Sequence, residues 1–139
     1  MAILAEIGPD PHPNVRFVVD SHEKLGQGDV RAIREAWTPG IVWHEWGQSD
    51  LSGTYVGVDA VLEFWKVFFA AAGPHFTQDI TAITANDTYV TSLVRISGRK
   101  GARTFGQTVV DVMRMEEGRL AEFWRYYADV TAAHGFFTA

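Results

Sequence analysis

Cysteine is absent from the 139-residue chain. Its absence excludes disulfide bonds, thiolate nucleophiles and zinc or iron–sulfur sites with cysteine ligands. No apolar run approaches the roughly 20 residues that a membrane helix needs. The first six residues include a glutamate and no basic residue, so we expect no signal peptide. Together these absences favour a soluble, cytoplasmic domain.

Basic residues are scarce as well. The chain has 12 Lys and Arg against 17 Asp and Glu, a formal net charge of −5. This balance argues against nucleic acid and anionic membranes as partners. The chain has no glycine-rich phosphate or dinucleotide loop and no GxSxG nucleophile motif, and its five histidines show no metal-ligand spacing. We therefore expect neither a metal nor a cofactor.

Apolar and aromatic residues are abundant by contrast. They make up 47% and 13% of the chain, and five residues are tryptophan. This is enough apolar surface to bury one core in a chain of this length. We expect one domain over residues 1–139, in which residues 1–12 form a loose leader.

Hydrophobic periodicity predicts helices in the first half of the chain and strands in the second. Asp10 and Asp29 are the expected caps of the first two helices, and the segment from Gly47 to about Gly57 is predicted to be a loop. The first two predicted helices start at Asp10–Pro13 and at Asp29, and two more helices are predicted over residues 58–72 and 129–136. The predicted strands are 41–46, 76–85, 88–98, 104–116 and 119–128. This order is typical of an α+β domain, with three N-terminal helices packed in a strongly curved antiparallel sheet. Such a cone leaves a pocket if it is not filled to its tip.

His44 is the first candidate for chemistry, because it lies in a short strand rich in tryptophan. Alternation puts Val42, His44 and Trp46 on one face of this strand, and Trp43 and Glu45 on the other. A histidine in such a setting suits general acid–base catalysis. The alternative is a buried histidine that is bonded to a backbone carbonyl.

Asp111 is the second candidate. It alternates with Val109, Met113 and Met115, so it is expected to face the core. A carboxylate in an apolar setting is costly unless it is protonated or hydrogen-bonded. The alternative is a structural ion pair with Arg125 or Arg95 on a neighbouring strand.

Further residues are expected to shape the pocket. His22 falls on the apolar face of the first helix. Both faces of the last strand carry aromatic residues, so the pattern does not decide which of them lines the pocket. The predicted substrate-binding residues are His22, Trp46, Trp65, Met113, Trp124, Tyr126 and Tyr127.

Several local strings, in this order along the chain, resemble a known superfamily. They are Val42-Trp43-His44-Glu45-Trp46-Gly47, Leu51-Ser52-Gly53-Thr54-Tyr55-Val56-Gly57, Asp111-Val112-Met113-Arg114 and Glu116-Glu117-Gly118-Arg119-Leu120. Over about residues 13–137 the chain resembles the nuclear transport factor 2-like superfamily, and within it the SnoaL-like polyketide cyclase and ketosteroid isomerase group. The resemblance implies a cone-shaped α+β barrel. It places His44 at the position of the general base and Asp111 at that of a protonated aspartic acid in the oxyanion hole. Ser21 stands where that group has a tyrosine.

The expected function is proton transfer on an apolar carbonyl compound: isomerisation, aldol-type cyclisation or dehydration. His44 would move the proton, and Asp111 would stabilise the oxygen that gains negative charge. The alternatives are a noncatalytic ligand-binding module and a dimerisation module of the same fold. Thr108, Val110 and Val112 are expected on the outer face of the sheet, where so little charge predicts a homodimer packed through this face.

Overall fold

The computed structural model of the protein describes residues 1–46 and 50–138. The helices are α1 (Pro13–Gly26), α2 (Val30–Ala36), α3 (Val58–Ala72) and α4 (Val130–Thr138), and the strands are β1 (Trp37–Glu45), β2 (Gly53–Val56), β3 (Thr77–Ala85), β4 (Tyr89–Lys100), β5 (Arg103–Glu116) and β6 (Arg119–Tyr127).

The six strands form one sheet in the order β2-β1-β6-β5-β4-β3. This sheet is curved and does not close, and side chains from α1, α2 and α3 face its inner surface around a shared cavity. The predicted cone-shaped α+β architecture is confirmed. One pair departs from the expected antiparallel pattern, because β1 runs parallel to β6 while every other neighbouring pair is antiparallel.

Helix α3 has the bounds that the sequence predicts. It starts after Gly57 and ends before Gly73, whose φ angles of 92° and 85° lie in the left-handed region that favours glycine. Its buried face carries Val61, Phe64 and Phe68, at helical spacing. Neither α3 nor any other helix in the described part of the chain is long and apolar enough to cross a membrane.

The start of the chain differs from expectation in two ways. The cap of α1 is His12 rather than Asp10, because the imidazole Nδ1 accepts a hydrogen bond of 3.0 Å from the Asn14 N–H. Residues 2–5, within the expected loose leader, lie along β3. The backbones of Ala2, Leu4 and Ala5 are hydrogen-bonded to that of Ile80. Strand pairing to a distant segment has no local sequence signal, which explains the difference.

The two strands before α3 also differ from the prediction. Strand β1 starts at Trp37 instead of residue 41, and it contains Pro39 where its register with β6 shifts. Such an irregular position tolerates a residue without an N–H. Strand β2 lies in the predicted loop, of which residues 47–49 are outside the described residues. Its four residues form a strand through antiparallel pairing with β1.

Candidate active site

A cavity of about 110 Å³ lies between the helices and the inner face of the sheet. Its walls are mainly aromatic and aliphatic, with contributions from α1, α2, α3 and five of the strands. The polar residues of the lining are Ser21, His22, Glu45, Gln78, Ser92, Asp111 and Arg125. An engineered apolar cavity of about 150 Å³ binds benzene. The present cavity is smaller, so a ligand inside it is limited to about one small ring.

Four of the polar residues form a continuous row across the sheet. Glu45 on β1 pairs in register with Arg125 on β6, and Arg125 pairs with Asp111 on β5. Asp111 in turn pairs with Ser92 on β4. All four are buried. Directly paired residues share a face of the sheet, so register alone aligns these side chains along the cavity wall.

Asp111 and Arg125 form a bidentate ion pair. The Arg125 Nε and Nη2 donate to the two Asp111 carboxylate oxygens at 2.8 and 2.9 Å. Burial by itself would lower the pKa of Arg125, but the charge and hydrogen bonds of Asp111 outweigh it and raise that pKa. Asp111 therefore forms the ion pair with Arg125 that was one of its predicted roles. The alternative partner, Arg95, has an exposed side chain. The expected cavity-facing position of Asp111 is confirmed.

Glu45 is a cavity residue that was not predicted from the sequence as a site residue. It is 6% exposed, and its Oε1 accepts a hydrogen bond from the Tyr127 hydroxyl. Burial raises the pKa of Glu45 from 4.5 to about 7, against the opposing effects of that hydrogen bond and of the Arg125 charge. The sequence did hold a signal for its position, because strand alternation puts Glu45 on the same face as Trp43 and on the opposite face from His44.

His44 lies on the outer face of the sheet, so the prediction that it faces the cavity is wrong. Its Nε2 is 2.6 Å from Glu122 Oε2, and its Nδ1 is 3.1 Å from Thr54 Oγ1. The ring stacks on Trp124, with 5.4 Å between centroids. The inner face of β1 is occupied instead by Trp43, whose ring stacks at 3.7 Å on Phe123 inside the core.

Three other predicted pocket residues share this outer face and do not line the cavity. Trp46 and Tyr126 are 46% and 43% exposed, and their rings meet edge to face at 5.2 Å. Trp124 lies beside them, stacked on His44. The alternation that placed Trp46 with His44 was correct, but the shared face is the outer one. Tyr127 is on the inner side of β6, where it contacts Glu45 instead of lining the cavity.

His22, Trp65 and Met113 do line the cavity, as predicted. The His22 Nε2 lies 2.8 Å from the backbone carbonyl of Gln78, so this nitrogen donates its proton there. The neutral ring therefore presents Nδ1 as an acceptor. Burial, the largest influence, lowers the pKa of His22, and the bond to Gln78 partly opposes it.

The arrangement suits proton transfer. A carboxyl group that changes protonation near neutral pH, a neutral imidazole and a fixed ion pair share one largely apolar cavity. Among the described residues, no three histidine, aspartate or glutamate side chains are grouped so that they could hold a metal ion.

Comparisons with known proteins agree with the fold. An uncharacterised protein of Mycobacterium tuberculosis is 23% identical over 113 residues, which are 81% of this chain and 86% of that protein. A Xanthomonas campestris protein of unknown function with a cystatin-like fold superposes with a TM-score of 0.81 at 22% identity, covering 91% of this chain and 98% of the other. A nuclear transport factor 2-like protein of Burkholderia pseudomallei gives 0.77 at 22% identity, with coverages of 92% and 99%.

A further structure, of TerC co-crystallised with polyporic acid, has a TM-score of 0.78 at 17% identity and covers 91% of this chain and 98% of that one. At these identities the structural likenesses show the fold alone. The family profile of the SnoaL-like domain matches residues 18–123, about three quarters of the chain. The chain therefore belongs to the SnoaL-like domain family.

Proposed function

We propose that this protein is an enzyme that transfers a proton on a small, largely apolar carbonyl compound, with Glu45 as the general base. The observation that carries the proposal is a buried carboxylate on a cavity wall whose pKa lies at about 7. A base is most useful when its pKa is close to the working pH. Isomerisation, aldol-type cyclisation and dehydration all need such a group.

The polar row supports this role electrostatically. Arg125 stands in register between the two carboxylates of Glu45 and Asp111. Its bidentate bond to Asp111 holds the guanidinium in place before any ligand enters. A fixed cation in an apolar cavity stabilises negative charge that develops on a nearby ligand oxygen. The His22 Nδ1, which has no hydrogen-bond partner among the described residues, supplies a second position for the proton.

The similarity in fold to the TerC structure supports a small organic molecule as the ligand. That protein was co-crystallised with polyporic acid. We propose that the cavity of the present chain also holds a small organic molecule, limited by its volume to about one ring.

Deuterium exchange at the α-carbon of cyclohexanone tests the proposal. Proton NMR in D₂O follows the loss of the α-hydrogen signal, so no natural substrate is needed. The wild-type protein is expected to accelerate exchange, with a rate that rises through about pH 7 as Glu45 ionises. Glu45→Gln is expected to lower the rate by on the order of 10²–10⁴-fold.

His44→Ala is the matched comparison, because His44 lies on the adjacent position of β1 but on the opposite face. It is expected to exchange at the wild-type rate. If His44→Ala lost activity and Glu45→Gln kept it, the family-based assignment of His44 would be right and the present one wrong. Binding of the ketone without any exchange would leave the ligand-binding alternative.

A further inference from the structure

Three polar groups on the cavity wall have no hydrogen-bond partner in the part of the chain that the structure describes. They are Nη1 of Arg125, the hydroxyl of Ser92 and the side-chain amide of Gln78, in residues that are 7%, 2% and 5% exposed. None of these groups is sealed inside the protein, as the unpaired Nε1 of Trp43 is. A buried polar group without a partner is costly, so each of them needs a partner from the contents of the cavity.

Arg125 has donors to spare beside its ion pair. The guanidinium is planar and has five N–H groups, of which Nε and Nη2 donate to Asp111 from one edge. Nη1 lies outside that edge, so a ligand oxygen bound there does not compete with Asp111. Glu45 pairs in register with Arg125 on the neighbouring strand, and no hydrogen bond or ion pair joins their side chains. This part of the wall therefore offers a carbonyl oxygen a cationic donor close to the proposed base.

Gln78 supplies polar groups on a separate part of the wall. It lies on β3, and two strands stand between β3 and the β6 strand of Arg125. The Gln78 backbone carbonyl is bonded to His22 Nε2 at 2.8 Å, whereas its side-chain amide has no partner among the described residues. That amide carries two N–H groups and an acceptor oxygen, so it can bond to a hydroxyl or to a carbonyl group. A ketone held at Arg125 by its only oxygen would leave the amide unpaired.

Ser92 is less suited to a second contact with the ligand. It lies on β4 in register with Asp111, and Asp111 in turn pairs with Arg125. Ser92 therefore belongs to the same polar row as the ion pair, whereas Gln78 lies outside that row.

We propose that the ligand carries a second oxygen group, which hydrogen-bonds to the side-chain amide of Gln78 while the carbonyl oxygen binds Nη1 of Arg125. Neighbouring strands lie about 4.8 Å apart, so groups on β6 and β3 are best reached from opposite ends of a ring. The ligand class is therefore a single ring with oxygen groups at opposite ends, such as a hydroxy ketone or a dione. The apolar walls suit the ring carbons, and the few polar groups fix its orientation. This inference rests on the proposed function for the ligand site and for the carbonyl group.

Two ketones of nearly the same shape test the second oxygen. 4-Hydroxycyclohexanone has a hydroxyl group opposite its carbonyl, and 4-methylcyclohexanone has a methyl group there. The measured quantity is the ratio of their dissociation constants, which gives the preference of the protein for the hydroxyl group. Gln78→Met keeps a side chain of similar length and removes the amide. It is expected to lower the preference by about 2- to 12-fold, the range for one neutral hydrogen bond.

Ser92→Ala is the matched control, because it removes the other unpaired neutral group of the cavity wall. It is expected to leave the ratio unchanged. Circular dichroism and thermal unfolding check that both variants are folded.

A second readout uses the unmodified protein and so does not depend on the folding of a variant. In a ¹H–¹⁵N spectrum the side-chain NH₂ signals of Gln78, assigned through their bonds to its backbone, are expected to move downfield with the hydroxy ketone. The methyl ketone is expected not to produce this shift.

The inference is overturned if neither ketone binds, if Gln78→Met leaves the ratio unchanged, if Ser92→Ala changes it instead, or if both ketones move the Gln78 signals alike. A failure of the proposed function gives a different result. If the hydroxy ketone binds through Gln78 and none of its α-hydrogens exchange, the ligand class stands and the assignment of Glu45 as a base fails. If both ketones exchange and Gln78 has no effect on the ratio, the base stands and the ligand class fails.

Discussion

Glu45→Gln is expected to change how the stability of the protein depends on pH. In the folded protein burial raises the pKa of Glu45 to about 7, from an ordinary value of 4.5. Gln keeps nearly the same shape and can still accept the hydrogen bond from Tyr127. It has no charge to lose or gain, so the variant isolates the cost of ionising a carboxyl group inside the cavity.

The raised pKa fixes the sign and the size of the effect. Between about pH 4.5 and 7 the unfolded chain has released the proton while the folded protein still holds it, so rising pH favours unfolding. A difference of 2.5 pKa units (7 − 4.5) corresponds to about 3 kcal/mol, because each unit is worth about 1.4 kcal/mol. The wild-type protein should lose this amount of stability across that window. Glu45→Gln should not lose it.

Urea unfolding from pH 4 to pH 8.5 measures the effect. The free energy of unfolding of Glu45→Gln minus that of the wild type should rise by about 3 kcal/mol with increasing pH and level off above pH 7. Glu63→Gln, which removes an exposed carboxylate on α3, controls for the loss of one surface charge. A difference that stays constant over the whole range would show that Glu45 is not a buried carboxyl group of raised pKa, and the argument for it as a base would fail.

Two more predictions follow from the ion pair and from the outer face of the sheet. Asp111→Leu should destabilise the protein by about 3–5 kcal/mol because it leaves Arg125 buried without a partner. Urea unfolding of the double variant with Arg125→Met should show most of that stability restored. If the double variant were no more stable than Asp111→Leu, the reasoning would be contradicted. We also expect a homodimer through the outer face, where Val110 and Val112 are only partly buried in the single chain. Val112→Asp should shift sedimentation from dimer to monomer, and a wild-type monomer at micromolar concentration would refute this prediction.

The face of β5 could be predicted from sequence, whereas that of β1 could not. On β5 one face carries Val109 and Met113, while the other includes the charged Arg114, so burial of the first set followed from hydrophobicity. At β1, Trp43 lies on one face, while His44 and Trp46, the residue after the strand, lie on the other. Alternation correctly separated Trp43 from Trp46, but nothing local shows which side the helices will cover.

Pairing with distant segments set further limits on the prediction. The partner of Asp111 depended on the register that puts β5 beside β6, and Asp111 opposite Arg125. The sequence offered two arginines and no means of choosing between them. Strand β2 likewise owes its conformation to β1, since an isolated four-residue strand has too few contacts of its own to be stable.

The sequence by itself therefore determined the helices, the order of the long strands and which residues share each strand face, because these depend on local periodicity and on caps and turns. It also determined that Asp111 would be buried. Only the tertiary structure decided that Glu45 rather than His44 faces the cavity. The physical reason is that a strand with aromatic residues on both faces can bury either one, and the choice falls to the helices and strands that pack against it.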